Sequence, residues 1–432
     1  MKLFFYITIF SLNINLAFCE NNLFFYLDSA YKNNLKLNAE RKNLEATKQN
    51  INISRSEFLP NISISGSLED NQSTDRTNQS GSNLPDTNKE TQTKSVSIDQ
   101  KVFQGFEGYN SILKSKLEVQ QANLKLKETE QSILFQTANV YFNLSHKIKN
   151  KNFNLINISL FERQVETDMV RMQKGEITLT DLAQSESSLA GAKAKLISAE
   201  NELTNVRSNF ERIIRTGAPK NIEKNFNLNK SLPSSLSEAL LLAKKSNPRL
   251  LIAKLDYEIA KKNLNIEKAQ VAPSASINYS RSESDDFSSA VDKVDQESLK
   301  ATIKWPITKG GKNYSSIKKT KLKTAQSNLI LQDVINEIKT DTTNAWSVFQ
   351  SSQSVLEATL SQVNAAEIAN EGITLEYDSG NTRTTLEVIQ SRSLLLDARI
   401  ANSKAERDFI VSKFKILQII GDLTIQTLKS AI

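Results

Sequence analysis

The sequence predicts a mainly α protein with a small β part: duplicated long helical hairpins, plus four strands that belong to a β-barrel larger than one chain can close. Three observations predict it. Only 12 Gly and 7 Pro punctuate 432 residues, too few for a chain of many short elements and turns. Four short segments alternate apolar and polar residues in the period of two that marks a strand. The two halves of the chain also match each other over nearly their whole length.

The N-terminus reads as an export signal. Lys2 precedes an apolar run, Leu3–Phe18, that closes on Ala17-Phe18-Cys19, so residues 1–19 are expected to be removed after Cys19, leaving Glu20 first. An uncleaved anchor and a lipoprotein acylated at Cys19 are the alternatives; the run is shorter than the ~20 residues of a span, and Phe18 stands where a lipidation site wants a small residue. Cys19 is the one cysteine, so the mature chain offers no disulfide, thiolate metal site or thiol nucleophile. No later apolar run reaches the ~18 residues of a transmembrane helix. Any further crossing of a membrane must therefore use a closed barrel. The net charge of +7 comes from 55 basic and 48 acidic residues, interspersed and without a basic cluster between aromatics, and nucleic acid is not an expected partner.

The repeat divides the chain into residues 20–219 and 236–432, joined by a linker at 220–235. Ala30, Asn34 and Pro60 match Ala243, Asn247 and Pro273 at an offset of 213, and Gly105, Tyr141 and Gly175 match Gly310, Trp346 and Gly380 at 205. The offset changes within the polar stretch after Pro60, where a loop absorbs a deletion at little cost.

Each repeat begins with a helical pattern, about 23–57 and 236–271, which ends before Pro60 or Pro273. Strands follow at about 59–68, 95–103, 273–281 and 298–305. Ile62, Ile64 and Leu68 share one face of the first, against Asn61, Ser63, Ser65 and Ser67. One apolar and one small-polar face suit a barrel wall between lipid and water. A sheet lying on a soluble core is the other reading of any single strand. Residues 69–94 and 282–297, rich in Ser, Asn, Asp and Thr, read as exposed loops. Four strands fall short of the ~8 that bacterial barrels need to close, so the barrel must be shared between chains.

Helical periodicity then returns for roughly 65 residues, about 109–173 and 313–377, long enough for ~95 Å. Short turns carrying Gly175 and Gly380 lead into returning helices at about 179–214 and 384–420. In the first of these Leu182, Leu189, Leu196, Leu203 and Phe210 recur every seventh residue, interleaved with Ser185, Ala192, Ala199, Val206 and Ile213, a coiled-coil seam of alternating large and small residues. Gln120 and Gln131 interrupt the outgoing seam, which predicts water on two sides of that helix.

The entry at Leu59-Pro60, the corners VFQGF (102–106) and PITKGG (306–311), the tip segments KGEITLTDL (174–182) and YDSGNTRTTLEV (377–388), and above all the order of the duplicated elements resemble the TolC family of outer-membrane efflux and type I secretion channels. The resemblance covers nearly all of the mature chain. It implies a homotrimer with a twelve-stranded barrel in outer-membrane lipid of a Gram-negative bacterium and a large helical tunnel in the periplasm. Its implied partners are a periplasmic adaptor protein and an inner-membrane ABC or proton-driven transporter that supplies the energy. It also implies a periplasmic gate built from Asp181, Tyr377, Arg383, Glu387 and Gln390, with Gly175 and Gly380 at hairpin tips that meet the adaptor. The sequence departs from the family pattern twice: one extra residue precedes Arg383, and Gln390 stands in place of a second aspartate, which predicts a less charged constriction. An exposed i,i+4 ion pair is the plain reading of Arg383 and Glu387, and a helix-end turn is that of the two glycines.

No enzyme site assembles. The single histidine, His146, lies within a long helix as a solvated or seam residue, and Lys309-Gly310-Gly311-Lys312 lacks phosphate-loop spacing. No catalytic residue, metal or cofactor is expected. The rival reading is a periplasmic coiled-coil adaptor or scaffold that never enters the membrane, but such proteins carry one hairpin between β-domains rather than two hairpins alternating with two β-hairpins. The cargo, protein or small molecule, leaves no mark on the sequence.

Overall fold

The computed structural model describes residues 22–220, 222, 232–288, 291–379 and 383–431; the expected signal, its cleavage site at Cys19, most of the linker and Gly380 lie outside them. Each repeat runs helix, helix, β-hairpin, long helix, returning helix. The first comprises α1 (Leu23–Asn33), α2 (Leu35–Ser56), β1 (Asn61–Ser73), two short strands β2 (Arg76–Thr77) and β3 (Asn83–Leu84), β4 (Thr87–Gln104), α3 (Glu107–Gln173) and α4 (Leu179–Ile214). The second comprises α5 (Leu236–Ser246), α6 (Pro248–Ala269), β5 (Ser274–Ser288), β6 (Val291–Lys304), α7 (Lys312–Asp378) and α8 (Thr385–Ile419), followed by α9 (Ile425–Ala431).

The entry helix of each repeat is two helices, not one. Asn34 adopts an extended conformation and caps α2, its side-chain oxygen accepting from the N–H groups of Lys36 (3.0 Å) and Leu37 (3.2 Å). Its amide nitrogen donates to the carbonyl of Ile213 at 2.8 Å, tying the break to the end of α4. The duplicate, Asn247, caps α6 through Leu250 N–H at 3.2 Å and donates to Ile419 O at 2.8 Å. One side chain thus satisfies orphan groups of two helices at once, a task that helical periodicity does not reveal.

The strands form one antiparallel sheet in the order β1-β4-β5-β6. Asn61 pairs with Asp99 in the first hairpin and Ser274 with Lys304 in the second, which are the same pair under the two sequence offsets. The strands outrun their predicted lengths, and most of 69–94 and 282–297 is strand rather than loop, with β2 and β3 as a small flap. The cause is visible on the faces. Apolar rungs stop at Ile64–Val96, and beyond them Lys94, Glu283 and Asp295 occupy the same face. Where both faces are polar, pairing continues while the alternation that signals a strand disappears.

α3 and α7 are 67 residues each, about 100 Å at the helical rise. Their core lies where both hairpins meet the short helices. Tyr26 packs edge-on to Phe210 with ring centroids 5.1 Å apart, and Phe142 meets Phe414 across the repeats at 6.1 Å. Leu134, Leu144, Phe210, Ile214, Phe414 and Leu417 are fully buried there. Along the first hairpin Leu182, Ser185, Ala192, Ala199, Leu203, Phe210 and Ile213 are buried, the predicted seam. Gln131, expected to face water, is instead buried in α3. α9, which no periodicity announced, buries Leu428 and donates Ile425 N–H to Glu130, whose carboxyl burial pushes above its usual range.

Asn34→Ala and Asn247→Ala should each lower the unfolding free energy by about 1–2 kcal/mol, the usual worth of a buried cap, as read from chemical denaturation in detergent. Losses of similar size are expected, because each side chain caps a helix and donates to the carbonyl at the end of a long one.

Candidate functional site

Two regions carry functional geometry: the sheet with its corners, and the far tip of the hairpins. Among the described residues no helix is long and apolar enough to cross a membrane. The sheet provides a different surface. Ile62, Ile98, Tyr279 and Leu299 form one rung, with Ile64–Val96 on one side of it and Ile277–Ala301, then Phe103–Ala275–Ile303, on the other. Among the described residues nothing covers this face: Ile64 and Ile303 are each 81% exposed. Alternate residues stand about 7 Å apart, so four such rungs span roughly 20 Å of strand. The opposite face is a field of hydroxyls. Ser63, Ser97, Ser280 and Ser298 share a rung, as do Ser65, Ser95 and Ser282, and Ser63–Ser97 and Ser65–Ser95 hydrogen-bond at 2.7 Å.

At the strand-to-helix corners Phe58, Phe106, Tyr109, Trp305 and Tyr314 are exposed together, the composition of an interfacial aromatic belt. Gly105 makes the first corner at φ +58°, and a Cβ there would stand 2.4 Å from Ala272 Cβ and 2.8 Å from Ala269 O. No side chain fits. β1 and β6 are the outer strands, each paired on one side.

At the tip, α3 ends in a left-handed Gly175, φ +73°, with Glu176 N–H bonded back to Arg171 O at 2.9 Å. Asp181 does not meet Tyr377. It caps α4: its carboxylate accepts from Thr178 N–H (2.9 Å) and Oγ1 (2.7 Å), which holds it below the usual carboxylate range. The carboxylate that meets Tyr377 is Asp168 of α3, with no exposed surface. It accepts from Tyr377 Oη (2.5 Å), Ser185 Oγ (2.5 Å) and Gln164 Nε2 (2.9 Å). Thr385 of α8 reaches Tyr377 Oη at 3.1 Å, so the carboxylate joins α3, α4 and α7 directly and α8 through the Tyr377 hydroxyl. Burial, then the bond to Asp168, raises the Tyr377 phenol above its usual value. Arg171 lies 4.5 Å from the Tyr377 ring centre, and Arg392, its pKa lowered by burial, donates to Leu160 O at 3.1 Å.

Sequence reasoning missed Asp168. The available signal was its place seven residues after Phe161, a seam position where an acid must find partners.

Arg383 does bridge Glu387, at 3.0 Å, and also reaches Glu376 of α7 at 2.6 Å. Glu387 caps α8 through Thr384 N–H at 2.8 Å. That bond, Arg383 and the Thr384 hydroxyl keep its carboxyl below the ordinary range. Exposed pairs of this kind are screened by solvent and add little to stability. Gln390 is exposed on α8.

Midway along the hairpins His146 is a seam residue. It is buried, with Nδ1 3.1 Å from Ser403 Oγ of α8, beside the Lys149–Glu406 pair at 2.6 Å and the Arg407–Asn143 bond at 3.1 Å. Burial, with Lys147 and Arg407 adding to it, lowers its pKa from 6.5 to about 4.

A sheet apolar on one face and hydroxylated on the other, with an aromatic belt and unpaired edges, mounted on helices about 100 Å long, defines a subunit of a membrane channel that combines a shared barrel with a helical duct. The profile of the outer membrane efflux protein family matches residues 26–214 and 239–422, one match per repeat, and the chain belongs to that family of outer-membrane channels, which are not enzymes. Outer membrane efflux protein BepC of Brucella suis is 25% identical over 92% of this chain and 85% of its own length. Outer membrane protein TolC of Vibrio cholerae is 23% identical over 95% and 93%. Among solved structures, the Campylobacter jejuni CmeC outer membrane channel superposes with a TM-score of 0.83 at 16% identity, covering 93% of this chain and 86% of that one. The Neisseria gonorrhoeae MtrE channel in its open state gives 0.75 at 17%, covering 93% and 89%.

A histidine kept neutral by the fold but free to protonate when unfolded contributes stability above pH 6.5 that is lost progressively as pH falls towards about 4. Denaturation midpoints measured across that window should decline less in His146→Gln than in the unaltered protein.

Proposed function

We propose that three copies of this chain share one barrel in the outer membrane and form a passive exit duct. An inner-membrane ABC or proton-driven transporter, reached through a periplasmic adaptor, would supply the energy and load small molecules or proteins. The observation that carries the reading is the pair of unpaired edges on a sheet whose exposed apolar face suits lipid. Inside a bilayer those edges need partners. Three chains bring twelve strands, above the ~8 needed for closure. The similarity to BepC, an outer membrane efflux protein, favours small molecules as cargo. A scaffold confined to the periplasm would have no use for the uncovered apolar face and its aromatic belt.

The duplication supplies the seam. β4 pairs with β5 through Ser95 and Ser282. Carrying both by their repeat offsets to β6 and to β1 of a neighbour sets Lys300 opposite Glu69. The same register sets Trp305 beside Ile64, so apolar residues meet on the lipid face and opposite charges meet on the hydroxyl face.

At the periplasmic end, Asp168 and Tyr377 act as a latch between hairpins. Arg383, Glu376 and Glu387 set the charge at the mouth, which Gln390 leaves less acidic than a second carboxylate would. The Gly175 turn and, by repeat equivalence, the segment carrying Gly380 are the surfaces offered to the adaptor.

Oxidation of Glu69→Cys/Lys300→Cys should yield crosslinked trimers, whereas Glu69→Cys/Leu299→Cys, slipped by one residue, should not; trimers from the slipped pair alone would refute the register. Asp168→Asn combined with Tyr377→Phe should raise single-channel conductance in planar bilayers several-fold, and an unchanged conductance would remove the latch from the gate.

A further inference from the structure

The charge at the base of the sheet is one-sided. Residues 298–332 contain eight lysines and no aspartate or glutamate, whereas the equivalent stretch of the first repeat, 93–127, carries Asp99, Glu107 and Glu118. Strand register places the first of these lysines. Lys300 shares a rung with Asn61, Asp99 and Asn278, and Lys304 shares one with Gln104 and Ser274, so both lie on the hydroxyl face, as does Lys101 opposite Ser276.

There the sheet meets the helices around a cleft of about 510 Å³, lined by Lys101, Lys304 and Lys309 together with Gln104, Ser274 and Ser276. Asp99 and Glu107 also line it and offset part of the lysines' charge. Asp99 accepts from Asn278 Nδ2 at 2.7 Å, and Glu107 opens α3, where the helix dipole favours a carboxylate. Among the described residues none of the three lysines forms an ion pair. The cleft thus sets three ammonium groups against two carboxylates, a net positive charge among neutral hydrogen-bonding side chains, a combination that attracts anions and can hydrogen-bond their oxygens.

We propose that this cleft binds multivalent anions, small molecules bearing several carboxylates or phosphates. Resting on the shared-barrel reading, three such clefts would ring the inner mouth of the barrel. They would give the duct an anion-attracting station opposite in sign to the carboxylates at its tip, so polyanionic cargo would be drawn onward from the helical duct. At physiological ionic strength the field of each cleft reaches about 8 Å, so adjacent lysines within a cleft reinforce one another.

Citrate is the probe. Calorimetric titration into the detergent-solubilised protein should show saturable binding of one citrate per chain that weakens as KCl is raised. Affinity should fall at least tenfold in Lys101→Gln/Lys304→Gln/Lys309→Gln and stay unchanged in Lys48→Gln/Lys193→Gln/Lys245→Gln, which removes equal charge from exposed helix positions. Citrate added to the barrel side of a planar bilayer should reduce the current through the unaltered pore, and far less through the cleft variant. Absence of citrate binding by the unaltered protein, or equal loss in both triple variants, overturns the proposal. A bilayer that stays silent in KCl contradicts the duct reading instead, while the calorimetry still decides the cleft.

Discussion

Inside a bilayer every backbone amide and carbonyl must find a partner within protein, and the four-stranded sheet leaves two rows of them unpaired, along β1 and along β6. This constraint orders the rest of the molecule. A chain with eight strands could close alone; one with four has to present edges that fit copies of itself. In the proposed trimer the duplication makes that fit cheap to encode, because the contact between repeats inside the chain, β4 against β5, would also set the contact between chains. Pairing that repeats faithfully from Asn61–Asp99 to Ser274–Lys304 shows that the backbone has kept this equivalence although the side chains have diverged.

The helical part extends the same logic away from the membrane. Each long hairpin is held at three levels. Near the sheet the glycine corner at Gly105 turns strand into helix without room for a side chain. At the waist, Asn34 and Asn247 stitch the short helices to the ends of α4 and α8, and aromatic packing fills the core. At the tip the apolar seam gives way to polar residues, and Asp168 gathers Tyr377, Ser185 and Gln164. A hydrophobic seam holds by area and releases gradually. A single buried carboxylate with three donors holds by geometry and releases when one bond is lost, which would suit the latch proposed for the tip.

Much of this was legible in the sequence, for definite reasons. The offsets found Pro60 with Pro273 and Gly105 with Gly310 because backbone breaks tolerate few residues. The heptad through Leu182, Leu203 and Phe210 was readable because large and small residues alternate cleanly. Three things were hidden. The strands run on past Ile64 and Val96, where polar residues on both faces erase alternation. Asn34 and Asn247 look like ordinary helix residues until their carbonyl partners, far away in sequence, are known. Asp181 sits in the expected tip segment but serves as a cap, and the carboxylate that touches Tyr377 lies one seam turn inside α3, where only its tertiary neighbours identify it.

The central claim is that the outer edges of β1 and β6 are satisfied by neighbouring copies. Hydrogen–deuterium exchange on protein extracted from membranes reads this directly, residue by residue. The account predicts that outward-pointing amides of β1 and β6 exchange as slowly as those of the central strands β4 and β5. Rapid exchange confined to those two edges, with β4 and β5 protected, would show a sheet that stands alone and would contradict it.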